Sequence, residues 1–143
     1  MRNFETFTKR MVPLAKDPYV TVQKKGIISI NATAYSQLNR PVAVILLFDV
    51  HDQVIGLRSA DTHDENAYPI RDSSSRGIGP YVVSGVAFTK YYGIDTTTSR
   101  RWPAQLDGDV LCVDISKPGT EVVSNRNRKA WDREHAPDGR DLR

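Results

Sequence analysis

The chain repeats itself, and the repeat limits what it can fold into. At an offset of 53, Gly26 falls on Gly79, Ile28 on Tyr81, Ile30 on Val83, Asn31 on Ser84, Ala34 on Ala87, Tyr35 on Phe88 and Leu38 on Tyr91. Three further residues then enter the second copy. The offset becomes 56, and Val54, Ile55 and Leu57 fall on Val110, Leu111 and Val113. A unit of about forty residues with one two-turn helix cannot bury its own apolar faces, whereas two such units can bury them against each other. The 143 residues, 39% hydrophobic and 26% charged, suit one such pair around a single core.

Each copy reads as a strand, a short helix and a β-hairpin. Val20 to Gln23 alternates, Lys24-Lys25-Gly26 supplies a turn, and Ile27 to Ile30 is a β-branched run, so these residues predict a hairpin. Asn31 is placed to cap a helix whose Ala34, Tyr35 and Leu38 share one face, with Pro41 blocking extension. Val42 to Phe48 is too short an apolar run for a buried helix. With the turn at 49–53 and Val54 to Leu57 it predicts a second hairpin. In the second copy, Ser84 is expected to cap a helix from Gly85 to Gly93 that buries Phe88, Tyr91 and Tyr92. Arg101 to Leu106, the turn Asp107-Gly108-Asp109 and Val110 to Asp114 then form the last hairpin. The expected fold class is therefore mainly β with short helices: two tandem β-hairpin, short helix, β-hairpin units forming one pseudo-two-fold domain.

The predicted organisation is an N-terminal helical segment at 1–18, a first repeat at 19–60, a polar linker at 61–78, a second repeat at 79–118 and a mobile tail at 119–143. Phe4, Phe7, Met11 and Leu14 give the first segment a helical apolar stripe, suited to covering the core or to pairing subunits in a homo-oligomer. The linker carries a short extended piece around Tyr68 to Ile70. The tail has almost no apolar residue except Trp131. No stretch approaches a membrane span and no secretory h-region opens the chain, so the expected location is cytoplasmic with no membrane partner. Lone Cys112 excludes a disulfide within the chain.

Charge is unevenly distributed. The formal total is +3, made of +2 over 1–18, +2 over 19–60, −2 over 61–120 and +1 over 121–143. An anionic partner is permitted without being demanded, and its footprint should favour the first half and the termini.

Gly26 to Ile30, the short helix ending at Leu38, Val44 to Asp49, and Ile55-Gly56-Leu57-Arg58 resemble the swapped-hairpin domain of AbrB-like and SpoVT-like transition regulators and antitoxins. Two tandem copies are similar to the arrangement in MraZ-like proteins. The resemblance covers residues 20–58 directly and 79–114 through the internal repeat. The chain has Asn31 where that family usually has Pro, and Arg40-Pro41-Val42 where it has a Gly-Asp pair. The resemblance implies a non-enzymatic, transcription-regulatory protein that binds double-stranded DNA. The implied surface is the first hairpin and the loop before the last, with Gln23, Lys24, Lys25 and Arg40 from one copy and Arg76, Arg100 and Arg101 from the other. Cations on turns suit phosphate contact because they are not committed to the core. The same residues also read as ordinary solvated turns, which leaves a protein–protein interaction or assembly module of the same fold as the alternative.

No catalytic constellation is visible and no cofactor is called for. Asp61, His63, Asp64 and Glu65 are metal-ligand types, but in one polar stretch they read as solubilising residues, so no metal site is expected. His51 and His135 read as surface imidazoles. Cys112, between Leu111 and Val113 in a predicted strand, reads as a packed thiol. Tyr35, Phe88, Tyr91, Tyr92 and Trp102 are expected in the core rather than as base-stacking platforms.

Overall fold

A computed structural model of the chain describes residues 2–4 and 17–123. The N-terminal stripe beyond Phe4 and the tail from Ser124 lie outside the described residues. In chain order the elements are β1 (Tyr19–Val22), β2 (Ile27–Ile30), α1 (Ala32–Gln37), β3 (Ala43–Asp49), β4 (Val54–Ala60), β5 (Tyr68–Pro69) and β6 (Arg71–Asp72). They continue as β7 (Tyr81–Ser84), α2 (Val86–Tyr91), β8 (Arg100–Pro103), β9 (Gln105–Asp107), β10 (Val110–Asp114) and β11 (Thr120–Glu121). The fold is mainly β, as the alternating β-branched runs require.

The strands form two antiparallel sheets, one of six strands ordered β11-β8-β1-β2-β7-β6 and one of five ordered β5-β3-β4-β10-β9. Both expected hairpins of the first half are present, with Val20 opposite Ile30 in the first and Leu46 opposite Leu57 in the second. The halves then pair strand to strand. Ser29 lies opposite Val82 in β2–β7, and Gly56 opposite Cys112 in β4–β10. Two short segments pass from one sheet to the other. Only Ile70 separates β5 from β6, and only Ala104 separates β8 from β9, so the strand expected from Arg101 to Leu106 is broken in two. Each break is held by a backbone bond, Ile70 N–H to the Val42 carbonyl and Ala104 N–H to the Pro18 carbonyl.

One apolar cluster draws on both sheets. Val20, Ile28, Ile30 and Val83 from the first, with Val44, Ile55, Leu57, Leu111 and Val113 from the second, are fully buried. Alternation in the strands delivers these residues to one face, and burying each such side chain is worth roughly 1.5–3 kcal/mol. Helix α1 forms as its sequence predicts. The Asn31 side-chain carbonyl accepts from Ala34 N–H at 3.0 Å, and Ala34 and Leu38 are buried.

Helix α2 departs from expectation in three ways. Gly85, not Ser84, stands at its N-cap and supplies no side-chain bond; Ser84 is the exposed end of β7. Tyr91, aligned with Leu38, is 81% exposed, and Tyr92 is also exposed, while Phe88 and Thr89 take the inward face. Ala87, aligned with buried Ala34, is exposed. The cause is tertiary. A Cβ at Gly85 would lie 2.7 Å from both the Gly26 carbonyl oxygen and Ile28 Cδ1, so the first hairpin demands a bare residue there and the helix starts later. Beyond the helix, Ile94 packs against the core cluster. No described helix is long and apolar enough to cross a membrane.

Candidate nucleic-acid interface

The turn joining β1 to β2 is closed by Gln23 N–H to the Ile27 carbonyl at 2.7 Å and Gly26 N–H to the Gln23 carbonyl at 3.0 Å. Lys25 (φ 72°) and Gly26 (φ 97°) are both left-handed. Gly26 is buried against α2, where a Cβ would come 2.5 Å from Thr89 Oγ1. Docking the turn on this one residue leaves Lys24 and Lys25 exposed.

Lys24 N–H donates to Ser99 Oγ at 2.9 Å, so this turn lies against the segment that enters β8. There Arg100 faces Val22 and Arg101 faces Thr21 across the β1–β8 pair. Gln23, Lys24, Lys25, Arg100 and Arg101 are therefore brought together at one end of the six-stranded sheet, although their numbers span most of the chain. Arg100 is half-buried and donates to the Pro118 carbonyl at 3.0 Å, whereas Arg101 is exposed with its guanidinium 4.7 Å from the Tyr19 ring centroid. An acid stands beside this group. Asp95 accepts from Thr97 N–H and Thr97 Oγ1, which hold its carboxyl below the usual value, and the charge of Arg100 adds to the effect.

Arg40 and Arg76 form a second, smaller group. Arg40 follows α1 with φ 52°, and its guanidinium carbon lies 5.7 Å from the Tyr35 ring centroid. Tyr35 stacks on Tyr81 with centroids 3.8 Å apart, and the Tyr81 hydroxyl donates to the Gly77 carbonyl at 2.8 Å, next to Arg76. The loop carrying Arg76 is built around one carboxylate. Asp72 accepts from Ser74 Oγ at 2.6 Å, Ser74 N–H at 2.9 Å, Gly79 N–H at 3.2 Å and Gly77 N–H. The Ser74 hydroxyl contributes most to lowering the Asp72 pKa, and partial burial opposes it. Sequence reading treats 72–78 as part of the linker; the Asp-x-Ser spacing, which favours an Asx turn, is the signal of its order.

The remaining candidates have local roles. Asp61 and Asp64 accept from His63 N–H and Asn66 N–H, so both carboxylates serve turns. No group of three or more metal-ligand side chains converges among the described residues. His51 is exposed and contacts Asp52 at 2.9 Å. Cys112 is half-buried on the outer face of β10, in alternation with buried Leu111 and Val113, and desolvation, with the charge of Asp107, pushes its thiol pKa up. Trp102 is buried with Nε1 donating to the Lys117 carbonyl at 2.8 Å.

No protein-family model, no characterised protein and no solved structure matches the chain.

Proposed function

We propose that the protein is a non-enzymatic regulator that binds double-stranded DNA, built as two tandem swapped-hairpin units about a pseudo-two-fold axis. The observation that carries this reading is the pairing of loops. The hairpin turn of the first unit, with Lys24 and Lys25, sits beside the loop entering β8 of the second, with Arg100 and Arg101. The hairpin loop of the second unit, with Arg76, is linked through Tyr81 and Tyr35 to the Arg40 loop of the first. Each end thus combines one unit's hairpin with the other's loop, and each presents cations.

The strand registers support the same symmetry. Ser29 and Val82 differ by 53, Gly56 and Cys112 by 56, and each pair lies directly opposite its equivalent, as an axis through those pairs requires. Ile30 and Val83, and likewise Leu57 and Val113, are all buried, as equivalent positions should be.

The test is a salt titration of binding to a mixed-sequence duplex. Affinity should fall steeply as salt rises, and Lys24→Ala/Lys25→Ala should flatten the slope of log K against log salt by about two. Affinity that ignores salt, or a slope unmoved by that variant, contradicts the reading.

A second reading, an assembly module of the same fold, is favoured by the outer face of the five-stranded sheet. Ile45, Leu47, Val54 and Val110 lie there half-buried, opposite in alternation to the core residues of their strands. It predicts a concentration-dependent oligomer, measured by sedimentation, that Leu47→Lys dissociates. A monomer at all concentrations excludes it.

A further inference from the structure

The outer face of the six-stranded sheet holds a groove of about 420 Å³ bounded by Tyr19, Thr21, Gln23, Ser29, Pro80 and Arg101 among others, with no acidic residue among the described residues of its lining. At its floor Ser29 is only 5% exposed, and its hydroxyl has no hydrogen-bond partner among the described residues. Buried hydroxyls are nearly always partnered, because desolvating one without compensation is costly. Ile28 and Ile30 on either side point into the core, so Ser29 faces outward, into the groove.

The surrounding groups are donors. Thr21 stands directly opposite Ser29 across the β1–β2 pair, and Arg101 directly opposite Thr21 across β1–β8. Neither the Thr21 hydroxyl nor the Gln23 amide has a side-chain partner, and Arg101 has no carboxylate partner among the described residues. Its guanidinium lies over the Tyr19 ring, which fixes the plane while leaving N–H groups at the edge to grip oxygen. Hydroxyls from two strands, an amide and a guanidinium, with no acid among the described lining residues, match a compact, multiply charged oxyanion. The groove's volume is that of a small-molecule site.

We propose that this groove binds the phosphate group of a small phosphate monoester. Arg101 takes two phosphate oxygens, Ser29 and Thr21 donate to the third, and Tyr19 and Pro80 flank the organic part. The inference does not rest on DNA binding. It makes the ligand a competitor for Gln23 and Arg101 wherever a duplex uses them.

The test is a residue-resolved amide shift titration of the full chain with glycerol 3-phosphate, and with inorganic phosphate, dimethyl phosphate and acetate in parallel. Glycerol 3-phosphate should give saturable shifts confined to the residues around Thr21, Ser29 and Arg101. Ser29→Ala should weaken binding about tenfold, the loss of one hydrogen bond to a charged group, with no loss of thermal stability. Arg101→Gln should weaken it more. Several outcomes overturn the proposal. One is shifts that do not saturate, or that spread equally to Lys24, Lys25 and Arg76, which signifies general screening. Another is affinity unchanged in Ser29→Ala. Dimethyl phosphate binding as tightly as the monoester assigns the groove to a phosphodiester backbone, and equal binding of acetate removes the phosphate assignment.

Discussion

The two hairpin connections occupy corresponding places in the repeat and are built in opposite ways. The first is a tight turn whose glycine, Gly26, presses bare backbone against α2 while two lysines point outward. The second is a long loop from Asp72 to Pro80 whose order comes from a carboxylate collecting bonds from Ser74, Gly77 and Gly79. It touches the opposite helix through a stacked tyrosine pair instead of a glycine. The turn held by tertiary contact has exposed lysines with no ion-pair partner among the described residues. The loop held internally devotes one carboxylate to itself and keeps one arginine, Arg76, at its tip. The strand pairings β1–β2 and β6–β7 are thus closed by connections of opposite construction and different charge.

The largest expected effect on this contrast comes from the glycines. Gly26→Ala combines left-handed strain with a collision against Thr89 and Val86, and should cost about 2–5 kcal/mol in denaturant unfolding. Gly77→Ala, equally left-handed (φ 75°) but with open space around its Cβ, should cost only about 1–2 kcal/mol. Equal costs would mean that the first turn is not anchored by close approach. Next, Tyr81→Phe removes the hydroxyl bond to Gly77 and keeps the ring stack, for a loss of about 1 kcal/mol.

The smallest effect is a local one on pH. The Asp72 pKa is lowered, so its contribution to loop order is complete above the ordinary Asp value of about 3.9 and fades as pH falls through the lowered one. Amide protection at Gly77 and Gly79 should fall in acid before that at Gly26, whose turn bonds use no carboxylate. Simultaneous loss at all three would equate the two connections.

How much of this was legible in the sequence follows from the range of the forces involved. The strands of the first half and α1 were readable because alternation and the Asn31 cap are local, whereas the break at Ala104 and strand β11 were not. The displaced start of α2 was not, because the demand for glycine at 85 comes from Gly26 and Ile28, far away in the chain. Residue type identified the cations of the candidate interface, but their gathering was hidden. That gathering depends on β1 pairing with β8, some eighty residues on, and on Lys24 meeting Ser99. The row of Ser29, Thr21 and Arg101 was hidden for the same reason, since only cross-strand register brings its members together.

In the proposed function both mixed ends of the molecule face DNA. The most direct measurement compares duplex affinity across salt for the native chain, Lys24→Ala/Lys25→Ala and Arg40→Ala/Arg76→Ala. The account predicts that each double variant lowers the slope by about two. A native chain that shows no salt-dependent affinity, or a slope that neither variant changes, contradicts it.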